Sequence, residues 1–190
     1  MERILNNIQL LRCMEWLHNM AGTYEPIATS TLGSAGTFTF NSIPATYTDL
    51  IIIGRDFLSP SGTPGVSLRF NNDSASNYSA NTMEYRAQNS TNLGATVSNA
   101  TYINSGSNVG FSSTSNQFGV IIINIFQYSN SSVFKNVNFK YGQLEGSYPG
   151  IVIGSGIWKN TNAINSINIT AQTGNFQSGA SFTVYGIKAA

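Results

Sequence analysis

The chain has 190 residues, with nine Lys or Arg against eight Asp or Glu and a formal net charge of +1. Charged residues make up 9%, against roughly 25% in an average globular domain, and Ser, Thr and Asn together number 64. This composition excludes the basic surface of a nucleic-acid binder. No apolar run approaches the ~18–20 residues that cross a bilayer, and with Cys13 as the lone cysteine there is no internal disulfide and no multi-cysteine zinc site.

The first 22 residues differ from the rest. Residues 2–21 hold no Gly, Pro, Ser or Thr. Ile4, Leu5, Ile8 and Leu11, then Leu10, Cys13, Met14, Leu17 and Met20, follow the spacing of an amphipathic helix. Gly22 is a natural stop. At 1.5 Å per residue the helix spans ~30 Å. Glu2, Arg12 and Glu15 interrupt the stretch, unlike the core of a secretory signal. Its polar face is not the Lys/Arg-rich one of a membrane-surface helix. The segment 1–22 is therefore expected to dock or oligomerise through Ile4, Ile8, Leu11, Met14 and Leu17, or else to pack on its own domain.

Residues 23–36 are short and rich in Gly and Ser, and read as a hinge. Residues 37–190 carry the punctuation of a β domain: short runs of Ile, Val, Phe, Thr and Tyr between Gly, Ser, Asn and Pro. Strands are expected at 37–40, 48–55, 66–70, 82–86, 118–126, 133–141, 151–154, 165–170 and 181–187. Several alternate. Lys135, Val137, Phe139 and Tyr141 share one face, and Asn136, Asn138 and Lys140 the other. Alternation implies one dry and one wet face, as in an antiparallel sandwich. Leu50–Ile53 and Val120–Ile123 do not alternate and read as central strands buried on both faces. Should only one of their faces meet the core, a neighbouring subunit would cover the other. The expected fold is all-β with one N-terminal α-helix, an antiparallel β-sandwich of jelly-roll type.

Catalytic chemistry finds little support. The single histidine, His18, lies on the predicted helix. Cys13 and His18 are five residues apart, so they point in different directions around it. Asp49 and Asp56 bracket one strand, and Asp73 and Glu84 flank a polar loop, but no spacing selects an acid–base pair. Asn71-Asn72-Asp73-Ser74 lacks the ladder of a calcium loop and reads as a turn. Tyr78, Tyr102, Tyr128, Tyr148 and Trp158 lie beside turns. There they either stack on sugars or protein or fill the core. The sequence is expected to encode no enzyme, no cofactor site and no metal site.

Five stretches carry a resemblance: 24–28 (Tyr-Glu-Pro-Ile-Ala), 40–50 (Phe-Asn-Ser-Ile-Pro-Ala-Thr-Tyr-Thr-Asp-Leu), 68–79 (Leu-Arg-Phe-Asn-Asn-Asp-Ser-Ala-Ser-Asn-Tyr-Ser), 154–158 (Gly-Ser-Gly-Ile-Trp) with 163–167 (Ala-Ile-Asn-Ser-Ile), and 182–188 (Phe-Thr-Val-Tyr-Gly-Ile-Lys). In this order they resemble a family of tailed-bacteriophage virion proteins abundant in cyanophages and other marine phages. The resemblance implies a structural virion component, often labelled tail fibre. It defines no catalytic or ligand residues. Combined with the helix-first order, the expected function is a short fibre or appendage subunit of the tail or neck, with a possible host-surface glycan or protein as its target. The alternatives are a capsid decoration protein and a carbohydrate-binding module acting on host envelope glycan. The expected partners are further copies of the chain in a homotrimer and other tail, neck or capsid proteins, with no nucleic acid and no membrane. The expected location is the virion, assembled in the host bacterial cytoplasm.

Overall fold

A computed structural model describes residues 24–57, 65–86, 91–106, 119–145 and 148–188. They form twelve strands: β1 (Tyr24–Thr31), β2 (Phe38–Phe40), β3 (Asp49–Phe57), β4 (Val66–Phe70), β5 (Tyr78–Arg86), β6 (Thr91–Ala100), β7 (Ile103–Asn104), β8 (Gly119–Phe126), β9 (Lys135–Glu145), β10 (Tyr148–Trp158), β11 (Ile167–Ala171) and β12 (Ser181–Ile187). No helix occurs among the described residues, so none there is long and apolar enough to cross a membrane. The predicted helix, with Ile4, Ile8, Leu11, Met14 and Leu17, lies outside them, as do Cys13 and His18.

The strands build two sheets. The larger has eight strands in the order β1-β12-β3-β8-β9-β10-β5-β6, and the smaller has four, β2-β11-β4-β7. Every pairing is antiparallel. Their inner faces share one core, consistent with a β-sandwich. Alternation decides which side chains enter it. On β12, Phe182 and Val184 are buried between the half-buried Thr183 and Tyr185. Aromatic rings bridge the sheets: Phe38 of β2 meets Phe182 of β12 at 4.7 Å, and Phe70 of β4 meets Trp158 of β10 at 5.6 Å. Gly154 lets the Phe139 ring lie against the backbone of β10, where a Cβ would run into that ring and the Asn81 carbonyl oxygen.

The structure departs from sequence expectation in three places. The stretch read as a hinge, 23–36, contains β1, an eight-residue strand zipped onto β12 from Tyr24↔Ile187 to Thr31↔Ser181. Its Pro26 is tolerated because β1 is an edge strand. A ten-residue strand, β6, lies at the other edge. It escaped notice because Thr, Asn, Ser, Gly and Ala dominate it, as suits a strand exposed from Gly94 to Asn99. Finally, β3 and β8 are central but are not buried on both faces. Leu50, Ile52, Ile121 and Ile123 are buried, whereas Ile53 and Val120 are 36% and 49% exposed. Among the described residues, none forms a second layer over these positions on the outer face of the large sheet.

Candidate interaction surface

That outer face is built from the side chains that alternation turns away from the core, and the strand register arranges them in rows. One row runs Tyr85, Ile151, Gly142, Val120 and Arg55 across β5, β10, β9, β8 and β3. The next runs Met83, Ile153, Lys140, Ile122 and Ile53. Both rows are apolar apart from Lys140 and Arg55. Met83 is 68% exposed and Ile153 56%. Cross-strand neighbours of this kind form a continuous patch because the strands stand only ~4.8 Å apart.

The third row changes character: Asn81, Ser155, Asn138 and Asn124. A groove of about 630 Å³ runs over it, lined also by Met83, Lys140 and Ile153. A smaller hollow of about 220 Å³ opens in the first row, above Gly142 between Val120 and Ile151. Gly142 supplies no side chain there, and a Cβ added to it would meet only the Gly150 carbonyl oxygen, at 3.6 Å. The face thus offers two chemistries. Two aliphatic rows suit another protein surface. The amide row offers neutral donors and acceptors suited to a hydroxylated ligand.

The residues singled out as possible catalysts are not brought together into one site. Asp73 closes a turn. Its Oδ1 accepts from Ala75 N–H at 2.9 Å, while its Oδ2 accepts from the Asn77 side chain at 2.9 Å and from the Trp158 indole at 2.7 Å. Burial would raise its pKa, but hydrogen bonds from Asn77, Trp158 and Ala75 outweigh it and hold the carboxyl below its ordinary value. The turn needs left-handed backbone at Asn71 and Asn72 (φ 51° and 55°), a conformation asparagine tolerates better than most residues. Asp49 Oδ1 accepts from Gln127 N–H at 2.7 Å. Asp56 lies near the end of β3. Glu84 points into the core, 1% exposed, and neither of its oxygens has a hydrogen-bond partner among the described residues. Asp73 and Glu84 therefore do not form an acid–base pair on a common surface. No group of three or more His, Cys, Asp or Glu that could hold a metal occurs among the described residues.

The turn-side aromatics divide toward the core. Tyr78, Tyr128 and Trp158 are fully buried. Trp158 stacks on Tyr78 at 6.3 Å and 16°. The Tyr128 hydroxyl donates to the Pro44 carbonyl and accepts from Tyr47 N–H. Tyr102 stays near the surface beneath the Arg69 guanidinium. The stretches that carry the phage resemblance are thus in good part scaffold: Asn71 Oδ1 accepts from Asn165 and Ser166 N–H, tying 68–79 to 163–167.

Sequence reasoning missed the surface residues that matter most here, Met83, Tyr85, Ile151, Ile153 and Gly142. The usable signal was the apolar character of both alternating sets on three strands of one sheet: Leu50–Ile53, Val120–Ile123 and Ile151–Ile153. No family model and no curated protein matches this chain.

Proposed function

We propose that the chain is a non-catalytic structural subunit of a tailed-phage virion, a short fibre or appendage component of the tail or neck that functions as a homo-oligomer, most simply a trimer. The observation that carries the self-association is the outer face of the large sheet. Its inner face already fills the core, yet two rows of aliphatic side chains face outward, as on a subunit that is buried by neighbours. The virion assignment rests on the resemblance of residues 24–188.

The finer fold reading is a jelly roll with two insertions. In support, removing β5, β6, β9 and β10 from the strand order leaves β1-β12-β3-β8 facing β2-β11-β4-β7. Two interlocked Greek keys would order their strands in this way, the chain passing back and forth between two four-stranded sheets. The two inserted pairs then extend the large sheet on one side.

The test is the ratio of this chain to major capsid protein in purified virions. An appendage gives tens of copies per particle or fewer. Hundreds per particle would transfer the assignment to capsid decoration, and particles lacking the chain would then lose heat resistance rather than adsorption. One observation favours glycan binding as a second reading, namely the amide row and its groove. Titrating host envelope glycan against the intact chain and an Asn138→Ala variant checks it. Retention of full affinity in the variant, or no binding by either, rejects it. Release of oligosaccharide during that incubation would overturn the non-catalytic reading.

A further inference from the structure

The outer face carries both halves of a contact. Met83 is the most exposed large apolar side chain among the described residues, at 68%. The hollow above Gly142, about 220 Å³, is larger than a methionine side chain and is walled by Val120, Ile122, Ile151 and Lys140. Knob and socket lie on one face, two strands and one row apart, about 12 Å by strand geometry. Met83 cannot reach its own socket, because Ile151 and Ile153 of β10 stand between. We propose that Met83 of one copy inserts into the Gly142 hollow of a second copy, and that this contact, repeated around a three-fold axis, assembles the oligomer.

This proposal deepens the self-association reading and rests on it. Three features select a second copy as the occupant. The complementary shapes are both present on this chain, and a knob that fills the next subunit's socket generates a closed ring when the rotation closes. The exposed fractions of Met83, Tyr85, Val120, Ile151, Ile153 and Ile53 amount to roughly 600 Å², at the upper limit for a monomer's largest apolar patch and most of the ~800 Å² per partner of a standard interface. Five of these six side chains are Met, Val or Ile, and permanent homomeric contacts are the more apolar kind. Lys140, between Ile153 and Ile122 in its row, can lay its methylenes along the seam and carry its ammonium to the edge.

The experiment uses the full chain. Gly142→Leu fills the socket with little strain on the fold, since only Gly150 O lies near its Cβ. Met83→Asp removes the knob at an exposed site. Each should weaken association roughly thirtyfold or more by light scattering and sedimentation, with the β circular-dichroism spectrum unchanged. In a Cys13→Ser background, Met83→Cys combined with Gly142→Cys should give covalent trimers on oxidation, while either single cysteine should not. Covalent dimers would keep the contact and reject the three-fold arrangement. An oligomer untouched by both substitutions, with no cross-link, overturns the contact and leaves self-association standing. A monomeric wild-type chain overturns both. If Met83 of that monomer also resists peroxide oxidation, the face is covered from within the same chain instead.

Discussion

Lys135 shows how a charged side chain is made compatible with a core. It points inward from β9 beside Val137 and is fully buried. Its ammonium donates to the carbonyls of Asn130, Val133 and Thr161 at 2.6, 2.7 and 2.9 Å. Lys135→Met keeps the volume but strands three acceptors, so it should cost about 2–4 kcal/mol, measured by chemical denaturation. Glu84 is the opposite case, a buried carboxyl with no donor among the described residues. Replacing it with an apolar residue of similar size, Glu84→Met, should leave stability unchanged or raise it by about 1–3 kcal/mol. A loss of stability would show that an unseen donor or cation serves the carboxyl. Asp73 adds a pH dependence. Its folded pKa lies below the ordinary aspartate value of 3.8, so the stability it supplies is complete above about pH 4. That stability fades as pH falls through the lowered value. Because Trp158 donates to it, indole fluorescence should shift in that acid range, and Asp73→Asn should remove the shift at a cost of about 1–2 kcal/mol.

At the scale of elements, strand β1 and Gly154 of β10 decide how the edge and the inner face of the large sheet are held. Glu25 of β1 is held by Lys188 at 2.8 Å and by the Tyr47 hydroxyl at 3.0 Å. Hydrogen bonding first to Lys188 and then to Tyr47 lowers its pKa from 4.5, so this tie is present above that value and is lost as pH falls through the lowered one. Hydrogen exchange of β1 amides should therefore speed up, relative to β3, on acidification below about pH 4. Gly154→Ala should cost about 1–3 kcal/mol because its Cβ enters the space of the Phe139 ring and the Asn81 carbonyl. An unchanged melting temperature would refute that packing. The same elements show what was legible in the sequence. The inward faces of β9, β11 and β12 followed from period-two alternation, which depends only on the side chain's own polarity. Strand β1 was hidden because Pro26 and the polar residues around it are permitted only by its edge position. Strand β6 was hidden because an exposed edge needs no apolar pattern. The surface rows were hidden for another reason. Tyr85, Ile151 and Val120 are far apart in sequence, and only the register of four strands makes them neighbours.

For the whole molecule, the balance of charge decides what can drive assembly. Nine cations face eight anions along 190 residues, so no strong long-range field attracts or repels a partner. The two charges within the apolar rows, Lys140 and Arg55, are both positive and separated across the sheet. Association through this face must therefore draw on apolar burial, which salt screening hardly touches. Raising sodium chloride from ~50 to ~500 mM, a range over which the Debye length falls from roughly 14 to 4 Å, should leave the oligomer's dissociation constant within about threefold. Sodium sulfate, which is excluded from protein surface, should tighten it. Folding and assembly are also linked by mass action, because only the folded chain presents both Met83 and the Gly142 hollow. The melting temperature should therefore climb with protein concentration for the wild type and lose that dependence in Gly142→Leu. An association that weakens steeply with sodium chloride would locate the driving force in charged groups outside these rows, and the apolar face would no longer account for the assembly.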